Sequence, residues 1–186
     1  MKRGIIMVIL CSLLVGCNGN SQKVDPAMQV RNAILSSNGC EFIAKITADY
    51  IDAVYTFSLK CTVDNTGNLT FRVMQPESIE GITGSVSAEG GKLLFDKEVL
   101  GFSLMAQGQL SPVSGPWLMI KSMRSGYISA CAQQESGYMI KLDDSYEQDS
   151  IQLEVVVNGA LIPVRCDILW QGRRCLSIDV ESFAYL

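Results

Sequence analysis

The chain has 186 residues, 48% of them hydrophobic, with 15 basic and 19 acidic side chains and no histidine. The lack of histidine excludes the serine and cysteine triads built on an imidazole base, and the HExxH metalloprotease site. A net charge of −4 argues against nucleic acid as a partner and against electrostatic attachment to anionic lipid heads.

The chain opens on Met1-Lys2-Arg3, followed by an apolar run from Gly4 to Val15. A cationic start, a short apolar stretch and small residues at a cleavage point are the parts of a secretory signal. The run is too short for a membrane helix, which needs roughly 20 apolar residues. The tetrad Leu14-Val15-Gly16-Cys17 resembles the lipobox of bacterial lipoproteins. That resemblance implies lipid on the Cys17 sulfur and cleavage just before it, so residues 1–16 are read as the signal peptide. The remaining 170 residues carry 13 basic and 19 acidic side chains. Membrane association then rests on acyl chains, each buried methylene contributing roughly 0.8 kcal/mol. The expected location is the extracytoplasmic side of the cell membrane, or the outer membrane in a Gram-negative cell.

Residues 17–25 are small and polar and read as a lipidated, flexible tether; residues 26–186 read as one β-rich domain. Pro26 to Ser36 predicts a short amphipathic helix with proline at its start. Segments 40–47 and 53–61 predict a hairpin. Paired numbers summing to 101 set Phe42 against Leu59, Ala44 against Phe57, Ile46 against Tyr55, Glu41 against Lys60 and Lys45 against Thr56. Apolar residues then meet on one face. Asp64-Asn65-Thr66-Gly67-Asn68 is a stronger turn, with Gly67 left-handed and a sum of 132. It pairs Val63 with Leu69, Cys61 with Phe71 and Leu59 with Val73 on that same face.

Further strands are predicted near 82–88, 91–96 and 99–104. A helix follows from Ser114-Gly115-Pro116-Trp117 to Gly126, with Lys121 and Arg124 late in it. Strands resume near 127–133, 137–142, 151–157, 161–170 and 174–182. The last hairpin, with a sum of 342, sets Cys166 against Leu176, Val164 against Ile178, Arg165 against Ser177 and Asp167 against Cys175.

The first hairpin places Cys40 opposite Cys61. Two readings stay open there: a disulfide, which an exported domain permits, or two small core residues with free thiols. Cys166 and Cys175 fall on opposite faces and are not expected to bond, and Cys131 has no evident partner. The cysteine spacings match no zinc pattern. No GxSxG elbow, phosphate loop or GxGxxG fingerprint occurs. The acidic run Asp143 to Asp149 reads as a solvated loop, and Arg173-Arg174 as an exposed pair. No catalytic residue, metal site or cofactor is assigned, and the chain is read as non-enzymatic.

Aromatic residues occur in nearly every element. Most suit an ordinary core, but a curved sheet cannot close over all of them. Phe42, Phe57, Phe71, Phe95, Trp117 and Ile120 are therefore the expected lining of an apolar cavity. The run Gly67-Asn68-Leu69-Thr70-Phe71-Arg72-Val73-Met74-Gln75-Pro76, the strand Gly90-Gly91-Lys92-Leu93-Leu94-Phe95-Asp96 and the break Ser111-Pro112…Pro116-Trp117 resemble the LolA/LolB superfamily of lipoprotein carriers and localisation factors. By element order the likeness spans residues 26–183. It implies a mostly β fold, an unclosed antiparallel half-barrel, with a short N-terminal helix and a helix near 115–125 on the concave side. It also implies a cavity for lipid, acyl chains or another apolar ligand. The soluble carriers lack an anchor, so this chain resembles an acceptor or a membrane-bound relative more than a shuttle. The alternative is a structural or interaction lipoprotein of the envelope, including a germination-type role, bound to another envelope protein.

Overall fold

In the computed structural model, residues 25–96, 98–106, 109–145 and 150–186 are described. The signal segment, the lipobox residues Leu14 to Cys17 and the tether up to residue 24 lie outside them, as do residues 146–149 of the acidic run.

Helix α1 (Pro26–Ser36) starts where the Asp25 carboxylate accepts the Ala27 N–H at 2.9 Å, and it buries Ala27, Val30 and Ile34. Six strands follow: β1 (Gly39–Asp49), β2 (Val54–Asp64), β3 (Leu69–Gln75), β4 (Thr83–Ser87), β5 (Gly90–Phe95) and β6 (Glu98–Phe102). A two-strand ribbon, β7 (Met105–Ala106) and β8 (Gln109–Leu110), leads into helix α2 (Gly115–Ser125). The chain ends with β9 (Tyr127–Gln134), β10 (Gly137–Asp143), β11 (Gln152–Asn158), β12 (Pro163–Trp170) and β13 (Arg173–Tyr185).

Eleven strands form one antiparallel sheet in the order β6-β5-β4-β3-β2-β1-β13-β12-β11-β10-β9. The edges β6 and β9 do not pair, so the sheet is an unclosed half-barrel with α2 on its concave side. The sequence and its family resemblance lead to this architecture. Inward residues alternate with outward ones along each central strand; β1 buries Cys40, Phe42, Ala44, Ile46 and Ala48.

The β2–β3 register is the expected one, with Val63 against Leu69, Cys61 against Phe71 and Leu59 against Val73. Gly67 has φ +91°. The Asp64 carboxylate holds the turn, accepting from the Thr66 and Asn68 N–H groups.

Two registers differ from expectation by two residues. In β1–β2, Phe42 faces Cys61, Ala44 faces Leu59 and Ile46 faces Phe57, while Glu41 faces Thr62 and Lys45 faces Ser58. A shift of two keeps every residue on its face, so alternation does not discriminate between the two. The loop does. The expected register leaves Asp49-Tyr50-Ile51-Asp52 as the loop, whereas here the loop is Tyr50 to Ala53, closed by the Tyr50 N–H on the Ala53 carbonyl at 3.0 Å, with Asp49 still paired to Val54. The observed loop spans four residues, needs positive φ only at Ile51 (72°), and uses Asp49 to accept the Ile51 N–H. Cys40 consequently faces Val63, not Cys61; the two cysteines are diagonal neighbours and both thiols are free.

In β12–β13 the turn is Gln171-Gly172, with φ 50° and 75°, and Trp170 pairs with Arg173. An irregularity between Ile168 and Leu169 leaves Cys175 as an extra residue. Cys166 therefore faces Ile178, Arg165 faces Asp179 and Asp167 faces Ser177. A second irregularity, between β11 and β12, leaves Val164 unpaired and exposed.

Candidate functional site

The concave face is occupied. Helix α2 buries Trp117, Leu118, Met119, Ile120 and Met123 against it, and Met119 and Ile120 are inaccessible to solvent. Gly115 lets the helix approach closely: a methyl there would lie 3.0 Å from Leu176 Cδ1 and 3.1 Å from Ile178 Cδ1. Arg31 of α1 donates to the Met123 and Gly126 carbonyls, satisfying the end of α2. The β7–β8 ribbon closes one mouth, where the Tyr50 hydroxyl donates to the Leu110 carbonyl at 2.9 Å. The recess left beside it, next to Trp170 and Cys175, is only about 20 Å³.

The expected cavity residues are not gathered around one space. Phe42, Phe71, Trp117 and Ile120 belong to the filled core, Phe42 stacking on Phe183 at 5.5 Å between ring centroids. Phe57 is half-buried and Phe95 is 59% exposed near the sheet edge.

A groove of about 520 Å³ lies instead on the opposite, outer face of β2–β6. A twisted sheet is saddle-shaped, so even its outer face is hollow along one diagonal. Two cross-strand rows line the groove. The first runs Lys60–Arg72–Thr83–Leu94–Val99, each residue directly opposite the next. The second runs Thr62–Thr70–Ser85–Lys92 and ends at Gly101. The first row thus runs from a cationic end at β2–β3 to an apolar end at β5–β6, where Leu94 is 47% and Val99 62% exposed, while the second row carries Lys92 on β5. Among the described residues, no carboxylate lines it. Glu41 of β1 stands just beyond, accepting from the Thr62 hydroxyl at 3.3 Å.

The other charged candidates are already engaged. Arg173 contacts the Asp49 carboxylate at 3.6 Å and Arg174 the Asp167 carboxylate at 3.6 Å, so that pair is not available to a ligand as free cations. Asp144 accepts the Ile151 N–H and pairs with Lys121 at 3.9 Å. Burial pushes the Cys40 thiol up to about 12 and raises Cys61 and Cys166 as well. Such thiols stay protonated near neutral pH and are poor nucleophiles. Among the described residues, no three His, Cys, Asp or Glu side chains converge on a metal position, and no helix is long and apolar enough to cross a membrane.

The outer groove was missed in the sequence because its lining comes from outward positions on five strands. One signal was present: the sum of 132 that fixes β2–β3 also sets Lys60 opposite Arg72, a like-charge pair.

No family model matches the chain, and no curated protein matches it in sequence. Among solved structures, the chain is similar to an uncharacterized conserved protein from Thermus thermophilus, at 14% identity over 86% of this chain and 87% of that one, with a TM-score of 0.45. A LolA superfamily protein from Nitrosomonas europaea is similar at 9% identity over 84% and 92%, with a TM-score of 0.44. The lipoprotein LppX of Mycobacterium tuberculosis is similar at 11% identity over 86% and 92%, with a TM-score of 0.42.

Proposed function

We propose that this chain is a non-catalytic lipoprotein of the bacterial envelope, held to a membrane by lipid on Cys17, that binds an acyl-bearing ligand in the outer groove of β2–β6. The observation that carries this reading is the groove itself. Its volume of about 520 Å³ falls within the roughly 300–1,000 Å³ of small-molecule sites. Leu94 and Val99 give its outer end an apolar surface that an acyl chain would cover, at roughly 25 cal/mol per Å² removed from water. The inner face offers less, because α2 already fills it. The lipobox supports the anchor, and a lipid tether keeps the groove within reach of membrane amphiphiles.

The core residues run from Ala27 to Val180, so a chain beginning at Asn18 retains the whole core. Expressed in bacteria and sprayed from a native buffer, that chain should carry added lipid mass, reduced by Leu94→Ser. A bare protein at every stage of purification would sink the reading. The anchor is tested separately: the full chain should incorporate labelled palmitate and lose that label in Cys17→Ala. Label retained in the variant would remove Cys17 from the account.

A second reading, docking of another envelope protein, is favoured by one observation. Val99 and Leu100 are exposed on β6, an open sheet edge whose backbone could accept an added strand. In-cell crosslinking from position 100 to one defined envelope protein would support it, and crosslinks to lipid alone would not.

A further inference from the structure

The groove holds more polar chemistry than an acyl chain needs. Lys121, Lys141, Arg165, Arg173 and Arg174 each pair with a carboxylate. Arg31 and Arg124 donate to backbone carbonyls, and Lys45 sits across from Asp179. Lys60, Arg72 and Lys92 have no carboxylate partner among the described residues, and all three line this one groove. In a chain with more acidic than basic residues, three such cations along one groove run against the overall charge.

Their arrangement is costly on its own. Lys60 and Arg72 are directly opposite on β2 and β3, and like charges so placed destabilise a sheet. An anion seated between them removes that repulsion and gains charge-assisted hydrogen bonds, two of them from the Arg72 guanidinium fork. Thr83 continues the row on the far side of Arg72, and Ser85 stands two residues along β4 between Thr70 and Lys92, so hydroxyl donors lie next to the Arg72 end. Beyond Thr83 the row turns apolar at Leu94 and Val99, toward the open edge.

We infer that the groove takes an amphiphile with an anionic head, a phosphate or carboxylate, seated over Lys60 and Arg72, and an acyl chain lying along Leu94 and Val99 toward β6, with Lys92 of β5 flanking the path between them. This rests on the apolar-ligand reading above and adds the head-group chemistry to it. Glu41, held by the Thr62 hydroxyl at the groove's end, is a close carboxylate that the cations must outweigh; charges farther away than a Debye length, about 8 Å in physiological salt, are largely screened.

Calorimetry on the chain from Asn18 tests this with three probes below their aggregation limits: decyl phosphate, decan-1-ol and inorganic phosphate. Decyl phosphate should bind at least tenfold more tightly than either of the others. Arg72→Gln and the double variant Lys60→Gln/Arg72→Gln should weaken decyl phosphate at least tenfold and leave decan-1-ol unchanged. Leu94→Ser should weaken both, and Arg72→Lys, which keeps the charge but loses the fork, should weaken decyl phosphate less than Arg72→Gln does. All these side chains except Leu94 are charged and outward-facing, and urea midpoints would verify that every variant folds. Equal affinity for decyl phosphate and decan-1-ol overturns the anionic head while leaving the apolar reading intact. Inorganic phosphate binding as tightly as decyl phosphate makes this a free-anion site and overturns the amphiphile. Decyl phosphate binding untouched by the charge variants overturns the placement. Binding of neither amphiphile overturns both readings.

Discussion

The indole N–H of Trp117 donates to the Gly67 carbonyl oxygen at 3.1 Å, tying the first turn of α2 to the β2–β3 turn. Arg124, two turns later, donates to the Asn65 carbonyl at 2.9 Å. The turn that sets the register of the groove strands is thereby fastened to the helix that fills the other face. Fold and site are coupled through these two bonds.

Trp117→Phe keeps most of the buried ring and removes the donor. It should cost about 1–2 kcal/mol in urea denaturation, whereas Trp117→Ala, which also empties the ring's space, should cost roughly 3–5 kcal/mol. Equal losses would mean that the hydrogen bond, not the packing, carries the contact.

Gly84 separates the core from the groove. A methyl there would lie 2.5 Å from the Lys92 carbonyl oxygen and 2.6 Å from Phe71 Cζ, and one of those contacts is backbone. Gly84→Ala should therefore force β4 and β5 apart, costing roughly 1–3 kcal/mol as other overpacked sites do. Ligand affinity should fall with it, since Thr83 and Ser85 flank the same glycine. A variant of unchanged stability would show that the two strands yield freely.

Buried thiols predict loss of stability at high pH. Cys40 ionises near 9 when unfolded and is pushed up to about 12 by burial; Cys61 and Cys166 move the same way for the same reason. The folded state holds these protons more tightly, so their contribution is intact below pH 9 and is lost as pH rises toward 12. Each such thiol accounts for roughly 1 kcal/mol per pH unit in that window. The Tyr185 phenol, also raised by burial, adds to the same trend. Urea midpoints at pH 8 and 10.5 should show the fall, and Cys40→Ala should show a smaller one. A fall of the same size in the variant would remove Cys40 from the account.

What could be read in the sequence followed the strength of local signals. The β2–β3 register was legible because Asp64 and Gly67 specify one turn geometry. The helix at 115–125 was legible because Pro116 opens it and Gly126 follows it. The β1–β2 register was not, since a shift of two leaves Phe42, Ala44 and Ile46 on the same face and the loop Asp49-Tyr50-Ile51-Asp52 is a weak turn sequence. Whether the concavity was open or filled depends on how deeply α2 sits, and Gly115 decides that through contacts with Leu176 and Ile178, over sixty residues later. The groove depends on which outward residues four cross-strand pairings align. Only the Lys60–Arg72 pairing followed from a single correct hairpin.

That pairing yields a prediction in which stability and binding move in opposite directions. Lys60 and Arg72 repel across the strands, so Lys60→Glu replaces a repulsive pair with an attractive one. The variant should be more stable by roughly 0.2–1 kcal/mol, and the gain should shrink in 1 M salt, where the Debye length falls to about 3 Å. Its affinity for decyl phosphate should nevertheless drop at least tenfold, because the head would now meet a carboxylate. Residues kept for binding at the expense of stability behave in this way. Urea midpoints in low and high salt, measured beside the calorimetric titration, separate the two effects. If Lys60→Glu destabilised the fold, the repulsion between Lys60 and Arg72 would be relieved by some other contact, and the case for an anion between them would fall.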